Sequence, residues 1–178
     1  VHKECIRQML ARDKNHPCVV MVSVTNEPDS WSKGAREYFK EVIDYTRTLT
    51  KLPLTLAAYC LVPEEDMVCD LIDILCLNRY YGWYDYTPFG DAGHGDLNDV
   101  ERSMREQMIR WHDRYEMPMI ISEFGADTLE GNHSWPPETF SEEYQVEMID
   151  RMCKAFDSLD FCIGEHVWNF ADFRTKQG

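Results

Sequence analysis

Two glutamates in this chain each close an apolar run and open a turn. Glu27 follows Val19-Val20-Met21-Val22-Ser23-Val24-Thr25-Asn26 and precedes Pro28. Glu123 follows Met119-Ile120-Ile121-Ser122 and precedes Phe124-Gly125. A pair of carboxyl groups can divide the work of acetal cleavage. One protonates the departing oxygen, while the other attacks the anomeric carbon or activates water. The first must hold its proton near neutral pH and the second must be ionised. Other polar and aromatic residues sit at comparable positions. Asn26 adjoins Glu27, Asn78 and Tyr80 follow the run Leu71–Leu77, and Trp168 ends a final apolar stretch. Tyr80 can donate to a carboxylate, and Trp168 can present an apolar face to a sugar ring. A single glutamate at a strand end is more often a salt-bridge partner or loop cap. Two in these particular contexts favour chemistry.

Glu27 and Glu123 lie 96 positions apart, so only a shared sheet edge can bring them together. Short apolar runs and longer amphipathic ones alternate in a way that supplies such an edge. Val19–Val24 is nearly continuous and β-branched, as a strand buried on both faces should be. Gly34–Leu49 follows as a helix with the stripe Phe39, Val42, Ile43, Thr46 and Leu49. After Pro53, Leu54–Tyr59 and Leu71–Leu77 are strand candidates. Leu97, Val100, Met104, Met108, Trp111 and Tyr115 recur at steps of three and four, with Asp96 or Asn98 as the cap. Met119–Ser122 is a compact strand. Thr139-Phe140-Ser141-Glu142 has capping-box form before the stripe Tyr144, Met148, Met152, Phe156 and Leu159, and Phe161–Trp168 is the last strand. With a partial leading helix in Val1–Lys14, this gives five strands and three further helices. Such alternation implies α/β architecture with a parallel sheet. A doubly wound open sheet and a (β/α)8 barrel both satisfy it. No glycine-rich phosphate loop follows any strand, which disfavours nucleotide binding. The long aromatic stretch Tyr80–Gly95 reads as a functional loop.

The formal charge of −14 argues against a nucleic-acid partner, because phosphate binding requires clustered Lys and Arg. Seven cysteines at irregular spacing, with no CxxC pair, suggest neither a zinc site nor a disulfide scaffold. They fit a reducing compartment, so a cytoplasmic location is expected. No apolar window is long enough to cross a membrane, and neither metal nor other cofactor is called for. His16, His94 and His133 read as structural or solvated, and His166 as a satisfied core histidine. Tyr81 and Trp83 read as loop anchors. Both ends of the chain read as cuts through a larger protein, since it starts inside a helix-like run without Met and stops soon after a strand.

Four ordered segments resemble glycoside hydrolase family 2. Asn15-His16-Pro17-Cys18-Val19-Val20-Met21 leading to Asn26-Glu27-Pro28 is similar to its acid/base region, and Ile121–Thr128 to its nucleophile strand. Leu77-Asn78-Arg79-Tyr80-Tyr81-Gly82-Trp83-Tyr84 and Val167–Phe173 resemble the β-glucuronidases of that family rather than its β-galactosidases or β-mannosidases. The resemblance implies the C-terminal part of a (β/α)8 TIM barrel, about strands four to eight, incomplete in residues 1–178. The rest of the barrel and β-sandwich domains would lie outside the chain. It implies Glu27 as general acid/base, Glu123 as nucleophile and retention through a glycosyl-enzyme, with the carboxyls about 5 Å apart. Asn26 would hold the sugar 2-hydroxyl and Tyr80 would orient the nucleophile. Asn78, Tyr84 and Trp168 would line the sugar subsite. The implied substrates are small glycosides, namely glucuronide conjugates or glucuronate-containing oligosaccharides, and the implied assembly is a homo-oligomer, a tetramer by family resemblance.

Departures from the family pattern bear on packing and on the sugar. Val22 stands where relatives often carry Trp, and Phe124 replaces a common Tyr. The Asn-x-Lys element that grips the glucuronate carboxylate should come shortly after Gly178, and Arg174 and Lys176 do not match it. A β-galactosidase or galacturonidase on the same barrel is therefore the alternative, and a non-catalytic glycan-binding barrel the alternative of another class. An isolated 178-residue piece is expected to be unstable and inactive, because an open sheet exposes edges and apolar surface.

Overall fold

A computed structural model describes residues 1–84 and 96–173. The sequence expectations for the rest of the Tyr80–Gly95 loop, with His94, and for Arg174, Lys176 and Gly178 lie outside the described residues. Among those described, five strands alternate with four α-helices. In chain order they are α1 (His2–Asp13), β1 (Val22–Asn26), α2 (Ala35–Leu49), β2 (Leu54–Ala58), β3 (Leu75–Asn78), α3 (Val100–Tyr115), β4 (Met119–Phe124), α4 (Glu142–Asp157) and β5 (Cys162–Val167). The strands form one sheet in the order β1-β2-β3-β4-β5, and the β1/β2 and β2/β3 pairs are parallel. The α/β plan expected from the sequence is the one observed.

The chain divides into two compact units, Val1–Asn78 with Arg110–Ile120, and Arg79–Ile109 with Ile121–Gly178. In the first, all five residues of β2 are buried, as a central parallel strand requires. Leu54, Leu56, Leu75 and Leu77 are fully enclosed, and each such side chain stabilises the fold by roughly 2 kcal/mol. The stripe of α2 packs through Phe39, Val42, Ile43 and Thr46, whereas Leu49 is exposed. Leu75 N–H donates to the Pro118 carbonyl at 3.0 Å, which joins β3 to the start of β4.

Two strands differ from expectation here. β1 begins at Val22 rather than Val19, and it is not buried on both faces: Ser23 and Val20 are exposed. It is an edge strand of the sheet that residues 1–178 form. β3 begins at Leu75 rather than Leu71, because Cys69–Leu71 form a 3-10 turn. The exposed Asp73 accepts from Leu54 N–H at 2.8 Å and from the Arg47 guanidinium at 3.0 Å.

In the second unit, β4 and α4 pack Phe124 edge-on against Phe156, with ring centroids 4.9 Å apart. Tyr144, Met148, Met152, Phe156 and Leu159 are all buried, as their spacing requires. The cap of α4 is Ser141 rather than Thr139; its hydroxyl accepts from Tyr144 N–H at 3.2 Å. Loss of such a cap costs about 1 kcal/mol. Strand β5 is largely exposed, including Ile163 and Val167. His166 is exposed as well within residues 1–178, where a core position was expected.

The connection between β4 and α4 is tied to the first turn of the helix. Glu142 accepts from Gly131 N–H at 2.8 Å, and Glu143 accepts from Ser134 N–H at 3.0 Å and from the His133 ring at 2.8 Å. The Ser134 amide and then His133 pull the Glu143 carboxyl down to about 2, and Glu143 raises His133 above its ordinary 6.5. The histidine contribution is complete below 6.5 and fades as pH rises through the raised value. The glutamate contribution is complete above 4.5 and fades as pH falls toward about 2. Both groups face solvent, so the effect is small. Ser134 amide exchange, corrected for intrinsic rate, should therefore be slower between pH 4.5 and 6.5 than at alkaline pH. His133→Ala should remove the difference; an unchanged pH dependence in that variant would show that another group is responsible.

Candidate functional site

Asn26 ends β1 and Glu27 follows it, and Pro28 beyond them cannot continue a strand ladder. The β1/β2 register shifts between Ser23 and Asn26. Glu27 then takes a left-handed conformation, φ 46°, which non-glycine residues adopt at a cost of order 1–3 kcal/mol and which clusters at functional positions. Its backbone N–H is held by the Ala57 carbonyl at 2.9 Å. The carboxyl of Glu27 and the side chain of Asn26 converge on one donor. Asn78, only 1% exposed at the end of β3, gives its Nδ2 protons to Glu27 Oε1 at 2.9 Å and to Asn26 Oδ1 at 3.1 Å. Three of the residues singled out by type and position are thus in direct contact within the first unit.

The second unit assembles the others. Tyr80 Oη donates to Glu123 Oε2 at 2.8 Å, and Arg79 N–H donates to the Glu123 carbonyl at 2.9 Å. Trp83 and Tyr84 N–H groups close a turn on the Tyr80 carbonyl at 2.9 and 3.1 Å. This brings the Tyr84 ring edge-on to Tyr80, with centroids 5.4 Å apart. Tyr84 and Trp168 remain open, at 40% and 48% exposure. Trp168 N–H donates to the Phe124 carbonyl at 2.8 Å, which places it beside the residue that follows Glu123. Trp83 is buried, the anchor expected of it.

Several contributors escaped sequence reading. Arg79 is fully buried, although nothing in its sequence neighbourhood distinguishes it from a surface cation. Gly125 (φ 149°) approaches the backbone of Trp168 so closely that a Cβ would stand 2.6 Å from its carbonyl oxygen. Tyr144 reads as one more member of an apolar stripe; the available signal was its hydroxyl, which a buried tyrosine must satisfy. A cleft of about 550 Å³ lined by Arg7, Leu10, Lys14, His16, Leu49 and Leu52 contains none of the candidate residues. It adjoins the segment before β1, the end of a parallel sheet that carries stability rather than chemistry.

The family model for the glycosyl hydrolases family 2 TIM barrel domain matches residues 1–178. The chain belongs to glycosyl hydrolase family 2. It is 42% identical to a β-glucuronidase of Streptococcus agalactiae over 98% of this chain and 29% of that protein. The β-D-glucuronidase structure from Dictyoglomus thermophilum superposes with a TM-score of 0.90 at 47% identity, over 99% of this chain and 29% of that one. A Ruminococcus gnavus β-glucuronidase in complex with D-glucaro-d-lactam superposes with a TM-score of 0.88 at 39% identity, over 99% and 30%. The chain therefore spans about three-tenths of the length of these relatives. Its five strands account for part of the family's eight-stranded barrel.

Proposed function

We propose that the full-length protein hydrolyses β-D-glucuronides with retention, using Glu27 as general acid/base and Glu123 as nucleophile. The observation that carries this reading is that each carboxyl is oriented by its own donor, Asn78 on Glu27 and Tyr80 on Glu123. The β-glucuronidases similar to this chain support the sugar. In the first step Glu27 protonates the glycosidic oxygen as Glu123 attacks the anomeric carbon, releasing the aglycone and leaving a glycosyl ester on Glu123. In the second, Glu27 takes a proton from water, which displaces Glu123 and restores both groups. This route needs the carboxyls about 5 Å apart. Asn26 binds the 2-hydroxyl, where a hydrogen bond strengthens as the oxocarbenium-like transition state forms. Asn78, Tyr84 and Trp168 line the sugar subsite, Trp168 by stacking.

The purified full-length protein should hydrolyse 4-nitrophenyl β-D-glucuronide far faster than the matching galactoside or galacturonide. Proton NMR of the first product should show the β-anomer before mutarotation. Preference for either competing sugar would reassign the substrate. An α-anomer as first product would exclude the covalent route. Binding without turnover would favour a glycan-binding barrel.

A further inference from the structure

Tyr144 lies in the buried stripe of α4 and is 4% exposed. Its hydroxyl reaches out of that stripe and donates to the Gly82 carbonyl at 2.5 Å. Burial raises its pKa, so the hydroxyl keeps the proton it donates. Gly82 is the centre of the turn that carries Tyr80 at one end and Tyr84 at the other. Its φ is 88°, and a Cβ there would stand 2.4 Å from Val100 Cγ2; the turn is therefore pressed against α3 and cannot shift that way. Trp83, in the same turn, packs edge-on against Phe140 at 5.0 Å and tilted against Tyr144 at 6.5 Å. Trp83, Ala126, Tyr144 and Met148 form one buried cluster, with Tyr80 packed against it.

These contacts form a continuous path. The Ser141 hydroxyl holds Tyr144 N–H in the first turn of α4, Tyr144 Oη holds the Gly82 carbonyl, the turn holds Tyr80, and Tyr80 Oη meets Glu123 Oε2. We propose that Tyr144 is a positioning residue for the nucleophile, fixing through Gly82 the place from which Tyr80 donates to Glu123. The inference rests on reading Glu123 as the nucleophile. A donor on the carboxylate favours its ionised form and orients it both for attack and for departure from the glycosyl ester. Misplacing a group by an ångström can cost about a hundredfold in rate.

The test is a double-mutant cycle in the full-length protein. Tyr144→Phe keeps the ring and removes only the donor. With an activated aryl glucuronide, for which breakdown of the glycosyl-enzyme limits turnover, kcat should fall by about tenfold to a hundredfold. The acidic limb of kcat/KM should move to higher pH, because Glu123 loses part of the interaction that favours its ionised form. KM should fall or stay unchanged. In a Tyr80→Phe background the same substitution should change neither kcat nor the limb, since the path then has no endpoint. Ser141→Ala, which loosens the first turn of α4 but keeps the Tyr144 hydroxyl, should act in the same direction more weakly and also be silent in that background; it serves if Tyr144→Phe does not fold. Effects on kcat that add to those of Tyr80→Phe would overturn the proposal. So would a Tyr144→Phe enzyme with lowered Tm but native kcat and pH profile. If Tyr80→Phe itself leaves kcat intact while an activated fluoro-sugar still labels Glu123, the proposal fails and the reading of Glu123 stands; a label that maps elsewhere makes that reading fail first, so the two failures are told apart.

Discussion

Glu123→Gln in the full-length protein is expected to lower kcat/KM by about 10⁴-fold or more, as removal of the proposed covalent nucleophile should. The amide has the shape of the carboxylate but neither its charge nor its nucleophilicity, so Tyr80 still finds an acceptor while the anomeric carbon finds no attacker. An activated fluoro-sugar that esterifies the native protein should leave Glu123→Gln unlabelled, as read by intact mass and peptide mapping. Glu27→Ala should behave differently. It should lose most activity on substrates with poor leaving groups, retain labelling by one with a good leaving group, and recover turnover with azide, which needs no general base. The two phenotypes test the two proposed roles separately, at carboxyls held by different donors, Glu27 by Asn78 and Glu123 by Tyr80. A label that mapped to Glu27 instead would reverse the assignment of roles.

Gly125→Ala is expected to destabilise the protein by about 3 kcal/mol. Its Cβ would meet the carbonyl oxygen of Trp168 at 2.6 Å. A backbone oxygen cannot rotate aside as the end of a side chain can. The segment bearing it is also tied to β4 by Trp168 N–H to the Phe124 carbonyl at 2.8 Å, so relief of the clash strains that bond. Gly34 provides the comparison. It too has a left-handed backbone, φ 87°, yet a Cβ there would meet nothing within 4 Å, so Gly34→Ala should cost only about 1 kcal/mol. Denaturant melts of the two variants separate conformational strain from steric conflict. Equal costs would mean that the approach of Trp168 to Gly125 relaxes freely. Because the same movement displaces Trp168, Gly125→Ala should also weaken substrate binding, whereas Gly34→Ala should not.

Much of the fold was legible because hydrophobic periodicity is a local property. The stripe from Tyr144 to Leu159 identified α4 and its buried face residue by residue, and the apolar runs before Asn26 and Glu123 located β1 and β4. Boundaries were less legible. The 3-10 turn Cys69–Leu71 stands where the start of β3 was expected, and Ser141 rather than Thr139 capped α4 because its hydroxyl is the one that reaches Tyr144 N–H. The expectation that β1 is buried on both faces failed for another reason. Continuous β-branched sequence reports a preference for extended backbone, whereas the exposure of Ser23 depends on what covers the strand.

For the candidate site, residue type and placement at strand ends were enough to pick out Glu27 and Glu123 together with Asn26, Asn78, Tyr80 and Trp168, since chemistry of this kind needs carboxyls, amides and aromatics where a sheet opens; Tyr84 came only from the resemblance to glycoside hydrolase family 2. Which of them touch, and in what geometry, was decided by tertiary structure. The left-handed turn at Glu27, the shared Asn78 donor, the Tyr80–Glu123 hydrogen bond, the Tyr144–Gly82 brace and the Gly125–Trp168 approach all join residues brought together by strand register and helix packing. A one-dimensional pattern carries the propensity of each segment to form, but the distance between atoms of different segments exists only once those segments have packed.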